Sequence, residues 1–428
     1  MLSRPLIALW ATCLSLLSAP AAAAPSKSSG PDLPKVQPLT IDLTENVPHM
    51  LDLIRSTRLP AKPQFPGLKD SFGIDLQDLR SLRDAWLHSF DWEREQAEIN
   101  KLHHYTVTLR GLQIHFVHEK SKDPNAIPLL LCHGWPGSFL EFIPIIDGLT
   151  ATTATQDDEK NSTGKKKKVS FDVIIPSLPG FAFSSPPPEN WTLDDTARVF
   201  NTLMTEVLGY ESYAVHGTSH GVPLSFTLYD EFNTTVRAAH FVFMPFYPID
   251  PGVIEEKNIT LTPLEEFELQ RSVQWGLTGN GYFVMHTTKP NTVGLAMYDN
   301  PIGQLAWMGE KYIDWSDPDA GNNSPSLLTA NEILRSVSLY YLTNTFKSSI
   351  YTYAQDPGAW EREYRRARTD APLLVSFFKY NVGFWPKEIM AGIGNLTEYR
   401  NHEFGGNFAG LDNPPALIED LREIATYW

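Results

Sequence analysis

The chain is 428 residues long, 42% hydrophobic and 12% aromatic, with a formal net charge of −15. That is enough apolar material for one large domain carrying insertions. The acidic balance argues against nucleic acid or an anionic membrane surface as a partner; the one basic run, Lys165 to Lys168, lies in the polar stretch ATQDDEKNSTGKKKKVS and reads as a solvated loop.

Residues 1–24 read as a signal peptide. Arg4 supplies the positive start, PLIALWATCLSLLSA the apolar centre, and Ala21 to Ala24 the small residues for cleavage. The apolar run is short against the ~20 residues that span a bilayer. Secretion is therefore expected, with no stable membrane insertion after cleavage. The alternative is an endoplasmic-reticulum protein anchored by the uncleaved segment. Cys13 would leave with the leader and Cys132 would stand alone, so no intrachain disulfide is available. N-x-S/T sequons at Asn161, Asn190, Asn233, Asn258, Asn322 and Asn395 agree with a glycoprotein. Residues 25–38 are Pro- and Ser-rich and read as a disordered linker.

An N-terminal region follows over 39–105. Within it Leu76, Leu79, Leu82, Trp86, Leu87 and Phe90 recur at helical spacing behind Asp75, a suitable N-cap. A first core segment spans 106–245. YTVTL and LQIHFVHE alternate as strands do, and His115 and His118 are strand residues there rather than metal ligands. IPLLLCHGWPG, FDVIIPSLPGF and YAVHG are further strands ending in turns, with helical stretches such as SFLEFIPIIDGL between them. AAHFVFMPFYP reads as another strand. This alternation predicts an α/β fold, a mostly parallel central sheet with helices on both faces. Its active loops belong at the carboxyl ends of the strands. From 246 to 367 the pattern is helical and aromatic, a cap inserted into the core. APLLVSFF opens the second core segment, 368–428, which closes with a strand near 395–400 and a helix started by Pro414 and Pro415.

The chemistry concentrates at HGTSHG, residues 216–221. Gly217, Ser219 and Gly221 make the G-x-S-x-G pattern of a nucleophile elbow. A serine there suits an acyl substrate, and its hydroxyl needs a base. His216 and His220 flank it, but neighbours on a tight elbow point apart. Their spacing straddles a strand-to-helix turn, so metal binding is not expected and no cofactor is implied.

Five stretches carry a resemblance: WEREQAEINKLHHYTVTLRGLQIHFVH, HGWPGSFLEF, GYFVMHTTKPNTVG with SSIYTY, WPKEI, and GGNFAGLDNP. In this order and spacing the chain resembles the microsomal-type epoxide hydrolases of the α/β-hydrolase superfamily, including their N-terminal region. The resemblance implies a small lipophilic epoxide as substrate. In such enzymes an elbow aspartate attacks the epoxide, two cap tyrosines bind its oxygen, and a histidine oriented by a glutamate drives water onto the ester. On that pattern Tyr282 and Tyr353 hold the tyrosine positions and Glu388 the acid position. His133, Gly134, Trp135 and Pro136 form the oxyanion loop, with the amides of Trp135 and His220 facing the reacting atoms.

Two positions depart from it. The aspartate is Ser219, and the histidine is Asn407. Serine opening an epoxide would leave an ether, which water cannot discharge, and Asn407 cannot take a proton in the useful range. His402 is the one histidine after Glu388, and it could serve as base if its loop brought it in. Three readings stay open: epoxide hydrolysis without the covalent step, a Ser219-dependent ester hydrolase or acyl-transferring or cyclising enzyme, and a non-catalytic relic that binds a lipophilic ligand.

Overall fold

The computed structural model describes residues 34–154, 168–243, 248–320, 322–360 and 365–428. The expected leader, most of the linker, the sequon at Asn161 and Lys165 to Lys167 lie outside the described residues.

Period-two alternation and short apolar runs produce the sheet. Its strands are β1 (Gln37–Pro38), β2 (His104–Leu109), β3 (Leu112–Glu119), β4 (Ile127–Cys132), β5 (Phe171–Pro176), β6 (Tyr213–Thr218), β7 (Val236–Val242), β8 (Pro372–Phe378) and β9 (Asn395–His402). They lie in the order β1-β2-β3-β5-β4-β6-β7-β8-β9. The first contacts, up to β3 against β5, are antiparallel. All pairs from β5 to β9 are parallel. β4 and β6 are buried at every position, as strands covered on both faces must be. This is the expected α/β-hydrolase arrangement.

The helices of the N-terminal region are α1 (Val47–Ser56), α2 (Leu76–His88) and α3 (Trp92–Ile99). Asp75 caps α2 as expected, its carboxylate accepting the Gln77 N–H at 2.6 Å. Leu79, Leu82 and Trp86 form the buried stripe of that helix. In the core lie α4 (Ile143–Thr150), α5 (Leu193–Thr202) and α6 (Gly221–Glu231). Gly221 to Asp230 of α6 are all buried, so this helix is a core element behind the elbow.

The cap helices are α7 (Pro251–Glu256), α8 (Pro263–Gln274), α9 (Gly281–Thr288), α10 (Pro290–Ala296), α11 (Pro301–Asp314), α12 (Ala330–Leu342) and α13 (Phe346–Gln355). Returning to the core, the chain makes α14 (Lys387–Met390), α15 (Ala409–Asp412) and α16 (Pro414–Arg422), the last begun by Pro414. No helix among the described residues is long and apolar enough to cross a membrane.

Candidate active site

β6 runs through the core and turns at once into α6. The turn places Ser219 at φ 48°, in the left-handed region that costs a residue with a Cβ of order 1–3 kcal/mol. Two glycines make the turn possible. A Cβ on Gly221 would land on the Cys132 carbonyl, and one on Gly134 would strike Ser219 and reach 2.9 Å from the His220 nitrogen. The oxyanion loop therefore touches the elbow directly.

That loop is fixed from several sides. His133 donates from Nδ1 to the Gly134 carbonyl at 3.0 Å and accepts the Leu178 N–H at Nε2 at 3.1 Å. Burial pushes its pKa down to about 4, so the ring is neutral. A cis peptide joins Trp135 and Pro136. From the cap, the Tyr312 hydroxyl donates to the Pro136 carbonyl at 2.8 Å and the Tyr340 hydroxyl to that of Gly137 at 2.7 Å. Beneath lies Glu141, fully buried. Its carboxyl accepts the Thr218 hydroxyl at 2.6 Å and the Gly134 N–H, while burial raises its pKa to about 8. Glu141 thus binds the residue before the nucleophile to the oxyanion loop. Sequence reasoning missed it; its signal was a lone acid in the apolar run SFLEFIP.

The cap brings its two tyrosines down onto these loops. The rings of Tyr282, on α9, and Tyr353, on α13, stand 6.2 Å apart at 89°. Tyr282 stacks on Trp135 at 5.3 Å, and Tyr353 stands edge-on to His220 at 4.2 Å. Burial raises both phenol pKa values, so both remain proton donors at neutral pH. His286, also missed, joins them at 5.5 Å from Tyr282 and 5.0 Å from Tyr353. Its spacing of four residues from Tyr282 on one helix would have shown it. Lys311 of α11 is buried with its ammonium 5.1 Å over the Tyr282 ring, held by Glu310 at 2.5 Å.

Asn407 is buried on a loop tied to the cap, its N–H donating to the Trp315 carbonyl at 2.8 Å. The Trp315 ring packs against Tyr282 at 5.2 Å. Asp412 anchors the loop by accepting the Asp317 N–H at 2.9 Å and the Ser326 hydroxyl at 2.5 Å. Elbow, oxyanion loop, tyrosine pair and Asn407 loop thus form one connected group.

Two expected members stand outside it. Glu388 is exposed in the first turn of the one-turn helix α14, so it orients no histidine here. His402 is committed elsewhere: its Nε2 meets Asp420 of α16 at 2.7 Å, and its ring stacks on Phe378 at 4.7 Å. Asp420 also takes the Ser376 hydroxyl at 2.5 Å and Arg400 at 2.9 Å. Burial alone would raise the Asp420 pKa, but His402 and Ser376 bring it below the usual carboxylate value. His402 is thus hydrogen-bonded to Asp420 and is not a base offered to Ser219. His216 turns into the sheet, 2.9 Å from His240, while His220 faces Tyr353. A cavity of about 730 Å³ lies on the outer side of α13, between Pro187, Pro290 and Tyr351. None of the elbow or tyrosine residues lines it, so it is not assigned to the reaction.

Comparison with known proteins agrees with the fold. Residues 36–142 match the family model described as epoxide hydrolase N terminus, and residues 127–255 that of the alpha/beta hydrolase fold. A Stigmatella aurantiaca protein bearing the epoxide hydrolase name is 35% identical over 87% of this chain and 81% of its own length. The structure of Aspergillus niger epoxide hydrolase superposes with a TM-score of 0.76 at 31% identity, covering 92% of this chain and 97% of that one. Rabbit epoxide hydrolase 1 is 26% identical over 86% of this chain and 84% of its own.

Proposed function

The chain belongs to the epoxide hydrolase family of α/β-hydrolases, and from that premise we propose that it hydrolyses a small lipophilic epoxide to a vicinal diol without forming an ester on the protein. The observation that carries this reading is the pair of buried phenols, Tyr282 and Tyr353, seated on Trp135 and His220 beside the elbow. An ester hydrolase has no need of two phenols there. An oxirane oxygen does, because it becomes an alkoxide as the ring opens.

The step balances with the residues present. Water forms a bond to a ring carbon as the carbon–oxygen bond breaks. The oxirane oxygen takes a phenolic proton, and the proton shed by the attacking water restores the tyrosine. The Trp135 and His220 amides and the Ser219 hydroxyl orient the water. Attack by Ser219 itself would end in an ether.

A second reading, ligand binding without catalysis, is favoured by Asn407, the exposed Glu388 and the commitment of His402 to Asp420. The serine ester hydrolase reading keeps only its motif, since Asn407 and the paired His402 leave Ser219 without a base. The leader-like N-terminus and the sequons support a secretory destination.

Incubation with styrene oxide, with diol detected, tests the proposal. Tyr282→Phe and Tyr353→Phe are each expected to lower turnover by about 10²-fold. Silence across several epoxides, with thermal stability rising on addition of lipophilic ligands, would favour the second reading. Fluorophosphonate labelling that disappears in Ser219→Ala would favour the third.

A further inference from the structure

The cavity of about 730 Å³ beside α13 has the size of a ligand site, for which about 300–1,000 Å³ is usual. One face of that helix makes its floor. Lys347, Ser348, Tyr351, Ala354 and Gln355 line it, at the spacing that puts side chains on one side of a helix, while Tyr353 is buried on the other. From Lys347 to Gln355 the floor runs about 12 Å. The loop before α5 makes a facing wall, through Pro186, Pro187, Glu189 and Asn190. The Trp191 N–H ties that loop to the end of α13 by donating to Gln355 Oε1 at 3.2 Å. The lining mixes an ammonium, a carboxylate, amides, a hydroxyl and a phenol. Among the described residues the side chains of Glu189, Asn190 and Lys347 have no hydrogen-bond or ion-pair partner. A polyhydroxylated ligand, whose groups both donate and accept, suits such a lining; a plain anion would meet Glu189 as well as Lys347. Tyr351 and the prolines add surface for the apolar C–H side of a sugar ring.

Such a ligand has its attachment point in the chain itself. Asn190 opens the sequon Asn190-Trp191-Thr192, is exposed, and lines the cavity. We propose that an N-linked oligosaccharide on Asn190 lies along the outer face of α13 and straps that helix to the loop before α5. In the transfer, Asn190 Nδ2 bonds to the first sugar carbon of a lipid diphosphate-linked oligosaccharide. The carbon–oxygen bond to the diphosphate breaks, the diphosphate leaves with the electron pair, and the amide sheds one proton. Transfer precedes folding, because the folded chain commits the Thr192 hydroxyl to Asp195 at 3.0 Å as the cap of α5. Once attached, the sugar is held at high effective concentration over the cavity and needs little intrinsic affinity to occupy it. The strap steadies the helix that carries Tyr353. The inference rests on the secretory destination and is independent of how the ring is opened.

Asn258 supplies the internal control, an exposed sequon that lines no part of this cavity. The full chain is secreted from yeast, and an endoglycosidase is applied to the native protein while glycopeptides are followed over time. Sugar on Asn190 is expected to be released about ten-fold or more slowly than sugar on Asn258, because the enzyme must wait for it to leave the groove. Denatured protein should lose both at similar rates. Tyr351→Ala combined with Lys347→Ala should bring the native rates within about two-fold of each other. Hydrogen exchange gives a second reading: amides of α13 should exchange faster in Asn190→Gln and at the parent rate in Asn258→Gln. Equal native release rates overturn the inference, as does slow release that survives the double variant, or α13 exchange that ignores Asn190→Gln. Sugar on Asn258 with none on Asn190 overturns it while the secretory reading stands. No sugar at any sequon overturns both.

Discussion

Glu141 is the residue whose protonation matters most to the architecture of the site. It is a neutral carboxylic acid at pH 7, with a pKa lifted by burial from 4.5 to about 8. The folded protein keeps this proton over a range in which the unfolded chain has lost it. Its contribution to stability is therefore complete at low pH and declines as pH rises through that window, by about 1.4 kcal/mol per pH unit. Glu141→Gln keeps the shape and the neutral state. Its melting temperature, measured against the parent, should climb between about pH 5 and pH 8; a flat difference would show that Glu141 is ionised in the fold. Tyr282 presents the complementary case. Its phenol stays protonated because ionisation in this buried place is penalised more than the neighbouring Tyr353 relieves, and this makes it a donor rather than a base. Glu388 and His402 show where residue identity misleads. The resemblance implied the acid position for Glu388, and chain order alone made His402 a candidate base. Side-chain direction on a one-turn helix, and the pairing of His402 with Asp420 on a separate helix, are tertiary outcomes that spacing does not carry.

At the scale of elements, the strand–elbow–helix unit was readable because each feature has a local cause. The apolar run of β4 and the glycines around Ser219 point to the same geometry that the backbone adopts. The glycines also make a sharp stability prediction. Gly221→Ala pushes a methyl group into the Cys132 carbonyl, whereas Gly67 faces open space. Calorimetry should show Gly221→Ala losing about 1–3 kcal/mol or more, and Gly67→Ala staying within about 0.5 kcal/mol. Similar losses for both would mean that the close contact of elbow and β4 is not a constraint. The cap helices were legible as helices, but their inward faces were not. His286 reaches the tyrosines only because α9, α11 and α13 pack together, with Trp307 of α11 holding its second nitrogen.

For the whole molecule, the cap-over-sheet arrangement joins an intact acid side to an altered nucleophile side. Tyr282, Tyr353, Trp135 and the elbow are assembled, while Ser219 and Asn407 stand where the resemblance implies aspartate and histidine. Ser219→Asp combined with Asn407→His is expected to raise epoxide turnover by about 10²-fold or more. No gain in a correctly folded double variant would mean that the missing acid at Glu388 also has to be replaced. If the chain passes through the secretory route, the fold also selects among its sequons. Asn190 and Asn258 are exposed, whereas the Asn395 amide already donates to the Asp370 carbonyl at 2.8 Å. Glycopeptide mapping should find sugar on the first two and none on Asn395. The central claim remains chemical, that water and not a protein oxygen opens the ring. With protein in excess over styrene oxide in ¹⁸O-water, the diol of the first turnover should carry the heavy isotope in full; an unlabelled first-turnover diol, its new oxygen taken from the protein, would contradict the account.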